Sequence, residues 1–84
     1  MTHRTTPEFW RRFNSLSPNA QGVARKNFEL LKDDPRHPSL HLKRVGRVWS
    51  VRVGMHHRAL GTDIDDGILW HWIGTHAEYD RVKG

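Results

Sequence analysis

The sequence predicts an α+β fold: a helical hairpin at the N-terminus packed on one face of a small antiparallel β-meander of about four strands. Three observations predict it. Thr6-Pro7 and Ser17-Pro18 each place a capping hydroxyl before a proline at the start of an amphipathic stretch. Trp49, Val51 and Val53 alternate with Ser50 and Arg52, the period of a half-buried strand. Gly46, Gly54-Met55-His56 and Asp65-Asp66-Gly67 then punctuate the second half as turns.

The elements follow in order. Residues 2–5 are polar and β-compatible, and read as a short edge strand. After Thr6-Pro7-Glu8, the residues Phe9, Trp10, Phe13 and Leu16 share one helical face, with Arg11 and Arg12 on the other. Ser17-Pro18 closes this helix and caps the next after a two-residue break. Ala20, Val23, Ala24, Phe28 and Leu31 form the second apolar stripe, and Asp34-Pro35 ends it. Arg36 to Ser39 is a proline-bounded linker. Strands are expected at about 40–45, 48–54, 57–64 and 67–74. In the last, Trp70 and Trp72 fall on one face and His71 on the other. Gly74-Thr75 breaks it, and a short helical turn is expected in the tail. The stripes of the hairpin need the sheet to cover them. Trp10, Trp49, Trp70 and Trp72 are therefore expected between hairpin and sheet, and Arg52 on the open face.

With 84 residues the chain has room for one domain, 1–84, and one small core. Such a domain is stable by only ~5 kcal/mol, so four Trp and three Phe are an important source of buried area. The absence of Cys excludes a disulfide framework and a thiolate metal site. No apolar run has the length of a membrane helix, and no signal peptide is expected, so a cytoplasmic protein is the default.

The net charge is +5, and its distribution matters more than its total. Residues 1–36 carry +3, residues 37–58 carry +5 with no acid, and residues 59–84 carry −3. A basic centre of this kind is an electrostatic footprint for phosphate or for an acidic partner. A solvated basic strand pair is the plainer reading. Arg52 and Arg58, on neighbouring strands, could converge on one phosphate. His76 and Tyr79 lie at i, i+3, side by side on a helical turn. Histidine ordinarily exchanges a proton near pH ~6.5, which suits acid–base work. Trp and His interleaved with basic residues also suit single-stranded RNA.

Each candidate has a structural alternative. Arg52 could be solubilising, and Arg58 could pair with Asp63 or Asp80. His76 could cap the last turn, and Tyr79 could be a core aromatic. His57 could touch RNA or sit between strands, while His71 reads as an ordinary strand histidine. Seven His invite a metal reading, but Pro38 forbids the helix that would align His37 with His41. No metal or cofactor is expected.

Several segments together resemble the RelE/ParE superfamily of bacterial toxin–antitoxin toxins. They are Lys43–Gly46 after Leu42, Trp49-Ser50-Val51-Arg52-Val53-Gly54, His57-Arg58-Ala59-Leu60, and Ile73-Gly74-Thr75-His76 running into Glu78-Tyr79. With the helical hairpin, the resemblance covers most of the chain. It implies one of two activities. Nuclease members cut mRNA in the ribosomal A site without a metal, the 2′-hydroxyl attacking the adjacent phosphate; other members poison DNA gyrase without chemistry. The resemblance places Arg58, Arg52, His76 and Tyr79 at catalytic positions. Guanidinium does not act as a base, so base work falls on His76 or Tyr79. Lys43 and Arg44 match positions that hold the RNA backbone, and Arg47 and His57 extend that basic surface. A cognate antitoxin, acidic and amphipathic, is implied as the partner that covers the face, beside mRNA and the ribosome. A plain binding module for RNA or an acidic protein is the third reading.

Overall fold

The computed structural model describes residues 1–83. Helix α1 spans Pro7–Asn14 and α2 spans Pro18–Asp33. Both start on the same device. Thr6 is extended, and its Oγ1 accepts from the Phe9 N–H at 3.1 Å. The Ser17 Oγ accepts from the Ala20 N–H at 3.1 Å. Each proline sits where a free N–H would have no partner. The connection is one residue longer than expected, covering 15–17. The N–H groups of Ser15 and Leu16 bond three residues back, to Arg12 and Phe13, which tightens and ends α1.

Five strands form one sheet in the order β1-β5-β4-β3-β2. They are β1 (Thr2–Thr5), β2 (Lys43–Val45), β3 (Val48–Val53), β4 (His57–Ile64) and β5 (Gly67–Thr75). The four-stranded antiparallel meander is as expected. The N-terminal segment adds a fifth strand, parallel to β5. Gly67 makes this possible: a Cβ there would come within 1.8 Å of the Thr2 carbonyl oxygen. The glycine after Asp65-Asp66 therefore serves close strand approach rather than the turn. The expected strand at 40–45 is shorter. Pro38–Leu40 forms a 3-10 turn that drops Leu40 wholly into the core, and His41 follows at φ 45, ψ 45.

The hairpin face of the sheet holds the main core, including Phe13, Leu31, Val51, Val53, Trp70 and Ile73. The opposite face holds a second cluster of Leu60, Trp72 and Tyr79. This corrects the expected placement of the tryptophans. Leu60 pairs with Trp72 and Gly61 with Trp70, so His71 is an extra residue in β5. The bulge turns the strand over, and Trp70 and Trp72 point to opposite faces. Trp10 is 42% exposed, with its indole N–H on Thr5 Oγ1 at 2.8 Å, so it is not core. Trp49 is half-buried against the core as expected. The tail forms a full helix, α3 (His76–Lys83), rather than a single turn. Among the described residues no helix is long and apolar enough to cross a membrane.

Beyond its backbone pairing, the first strand is tied to β5 by a side-chain contact. Trp70 donates its indole N–H to His3 Nδ1 at 3.1 Å, and the rings stack with centroids 6.2 Å apart. Only neutral His3 accepts this bond. Burial holds its pKa below the ordinary value, with the N-terminal ammonium and Lys32 acting the same way. The unfolded chain takes up this proton at the ordinary histidine pH, while the fold resists it. The contribution is therefore complete above that pH and is lost as pH falls toward the depressed value. Melting temperature is expected to drop between about pH 7 and pH 5, and to drop less in His3→Gln. Parallel curves in circular-dichroism melts would refute the role of His3.

Candidate functional site

The face of the meander turned away from the hairpin carries Ser50, Arg52 and Arg58. Alternation in β3 sends Ser50 and Arg52 there, and register brings Leu60 opposite Ser50 and Arg58 opposite Arg52. Two arginines directly across a strand pair repel by roughly 0.2–1 kcal/mol, a cost that fold stability alone gives no reason to carry. Helix α3 lies over the same face and buries Tyr79 with Leu60 and Trp72.

Arg58 is 4% exposed. Its Nε and Nη2 donate to Ser50 Oγ at 3.0 and 2.7 Å, and Nη2 reaches the His41 carbonyl at 3.5 Å. Its Cζ lies 5.1 Å from the centre of the Tyr79 ring. No carboxylate pairs with it among the described residues. Asp63, one acid that could have paired with it, instead engages Arg44 and the Trp49 indole. Burial, and then the neighbouring Arg52, lower the Arg58 pKa against the opposing influence of Tyr79. Guanidinium nevertheless stays protonated. The result is a buried cation with hydrogen-bond partners but no counter-charge among the described residues.

His76 is the first residue of α3, and its backbone N–H bonds the His56 carbonyl at 2.8 Å. Its ring centre lies 5.9 Å from that of Tyr79, edge to face, and its Nδ1 is 3.5 Å from Asp80 Oδ2. A reciprocal capping box sets this turn. Glu78 Oε1 accepts from the Thr75 N–H at 2.8 Å, and Thr75 Oγ1 accepts from the Glu78 N–H at 3.1 Å. The backbone bond from Thr75 is the main cause holding the Glu78 carboxyl below its ordinary pKa.

Arg52 thus lies opposite Arg58, Arg58 lies against Tyr79, and His76 stands beside Tyr79. Of the four flanking candidates, only Lys43 shares their face, exposed and opposite Ser50. Arg44 pairs with Trp49 in register, so it lies on the hairpin side, bound to Asp63 and stacked over Trp49 with 5.7 Å from Cζ to the ring centre. Arg47 is exposed in the β2–β3 turn, roughly 15 Å along the strand from Arg52. His57 pairs with Val53 and also faces the hairpin side. Sequence reasoning missed Ser50, Thr75 and Glu78. The pattern Thr75-His76-Ala77-Glu78 is a capping-box signature and could have been read. Ser50 carries no such signal, because its partner is set by cross-strand register.

A second concavity, about 330 Å³, lies between the hairpin and the sheet, lined by Phe9, Trp10, Phe13, Phe28, Trp70 and Ile73 among others. No His or Tyr lines it. No group of three or more potential metal ligands occurs among the described residues.

A family model described as the ParE-like toxin domain matches residues 19–81. No curated protein matches the sequence. Several solved structures share the fold at low identity. A chain of the RelB–RelE antitoxin–toxin complex from Methanococcus jannaschii is similar at TM-score 0.72 and 10% identity, over 96% of this chain and 99% of that one. Isolated RelE toxin from E. coli is similar at TM-score 0.64 and 12% identity, over 96% and 94%. YafQ from E. coli is similar at TM-score 0.68 and 12% identity, over 93% and 96%.

The capping box makes a direct prediction. Thr75→Ala is expected to lower stability by about 1 kcal/mol. Glu78→Ala should add less on the Thr75→Ala background than alone, because the two bonds form one unit. Urea melts of the four proteins measure this, and strict additivity would refute the coupling.

Proposed function

We propose that this chain, which belongs to the ParE-like toxin domain family of the RelE/ParE superfamily, is an endoribonuclease that cuts mRNA, acting on the ribosome. The observation that carries the reading is the buried Arg58, without a paired carboxylate among the described residues, set opposite Arg52 and against Tyr79, with His76 beside Tyr79. A cation without an acid partner is suited to an anion, and one phosphate has the span to meet both arginines.

The chemistry follows from these groups. The 2′-oxygen of the substrate attacks the adjacent phosphorus and gives its proton to a base. The bond from phosphorus to the 5′-oxygen breaks, and that oxygen takes a proton from an acid. The products are a 2′,3′-cyclic phosphate and a 5′-hydroxyl. Arg52 and Arg58 stabilise the charge that builds on the phosphorane oxygens. His76 and Tyr79 serve the two proton transfers. Lys43, on the same face, holds the neighbouring RNA backbone. The arginines provide the cationic stabilisation, so the reaction as written needs no metal.

The partner proposed for this face is a cognate antitoxin with an acidic segment, in line with the antitoxin bound to the similar Methanococcus jannaschii toxin. The ParE-like family assignment favours a second reading, a toxin that inhibits DNA gyrase without chemistry. One experiment separates the two. Primer extension on an mRNA in a translating extract is expected to show cuts within codons. His76→Ala, Tyr79→Phe and Arg58→Lys should each weaken them by about 100-fold or more. Intact message at toxic doses, with loss of gyrase supercoiling, would overturn the nuclease reading in favour of the second.

A further inference from the structure

We propose that Ser50 is a positioning residue for Arg58, chosen by chemistry to fix the guanidinium without neutralising it; the inference rests on the nuclease reading above. The argument begins with a count of donors. A guanidinium has five N–H groups. The Nε hydrogen and one Nη2 hydrogen both go to Ser50 Oγ, at 3.0 and 2.7 Å. The second Nη2 hydrogen leans toward the His41 carbonyl at 3.5 Å. Both remaining hydrogens are on Nη1. The Nε–Nη2 edge, one of the two by which a guanidinium can clasp a carboxylate or phosphate, is therefore already occupied. Arg58 meets its phosphate end-on, through Nη1.

The occupant of that edge decides the charge of the site. Ser50 is 6% exposed and directly opposite Leu60 across the strand pair, so its hydroxyl has little freedom. An aspartate in the same place would hold the fork at least as firmly, but its charge would cancel the cation that the phosphate needs. A serine oxygen accepts both bonds and leaves the full positive charge. The Tyr79 ring and the His41 carbonyl are likewise uncharged partners.

Two variants separate this role from simple core packing. Ser50→Asp keeps an acceptor for Arg58, and Ser50→Thr keeps a hydroxyl. Ser50→Asp is expected to melt near the wild-type temperature yet lose about 100-fold in cleavage, while Ser50→Thr retains activity within about 10-fold. Ser50→Asp with wild-type cleavage would overturn the proposal. So would Ser50→Thr that folds but is as inactive as Ser50→Asp. A measurement independent of cleavage is nitrogen-15 NMR of the arginine side chains. Wild type is expected to show an Arg58 Nε–H protected from water exchange, which loses its protection in Ser50→Ala. An unprotected Arg58 Nε–H in wild type would overturn the proposal whether or not the protein cuts RNA. If the protein proves not to cut mRNA while that protection is present and Ser50-dependent, the nuclease reading fails and the orienting contact stands.

Discussion

A buried charge, Arg58, with no counter-charge among the described residues is the constraint around which this structure is built. Removing an ion from water costs several kcal/mol even after the surroundings relax. Among the described residues Arg58 has no paired carboxylate to offset that cost. It is held by a serine oxygen, a main-chain carbonyl and the face of a tyrosine. Each depends on a separate element. Ser50 lies on β3, the His41 carbonyl follows a 3-10 turn in a left-handed backbone conformation, and Tyr79 lies on α3. The left-handed residue is not a glycine, and such a conformation costs of order 1–3 kcal/mol. Three elements from different parts of the chain thus converge on one cation.

The sheet separates the work by face. The hairpin side is a packed core of aromatic and branched side chains, and it supplies most of the burial. The other side is thinly covered, and the bulge at His71 makes its covering possible. Without the extra residue, Trp72 would join Trp70 on the hairpin side, and α3 would have no large apolar surface beside Leu60 to rest on. The bulge therefore determines where Tyr79 can be buried, and through Tyr79 the depth of the arginine pair.

What the sequence made legible was local. The hydroxyl–proline pairs at Thr6 and Ser17 mark their helices because a cap is a contact within four residues. The alternation from Trp49 to Val53 marks β3 and its faces for the same reason. The convergence of Arg52 with Arg58 could be read because a short turn fixes their register. What was not legible was long-range. Parallel pairing of β1 with β5 joins residues more than sixty positions apart and leaves no periodic signal. The bulge at His71 interrupts an otherwise regular alternation, and nothing local in Trp70-His71-Trp72 announces it. Arg44 looked available for RNA, yet the acid that binds it is nineteen residues away on β4. Charge patterning gave the sign of the surface but not which cations were free.

Under the proposed nuclease reading, the candidate site divides its labour between two elements. An arginine pair stabilises an anion at any pH the protein will meet, because guanidinium does not give up its proton. That permanence makes it unfit to move protons. His76 and Tyr79 therefore sit on a different element, α3, whose first turn is held by its own capping box. In the proposed nuclease the sheet would supply the fixed charge and the helix the groups assigned to proton transfer. Their meeting point, the Arg58 guanidinium against the Tyr79 ring, is where the two are brought to a common distance. A face meant only to attract an acidic partner would gain nothing from that contact, because exposed lysines and arginines do the same without any cost of burial. In the proposed nuclease, burial on this scale would hold the charge still beside the groups assigned to proton transfer.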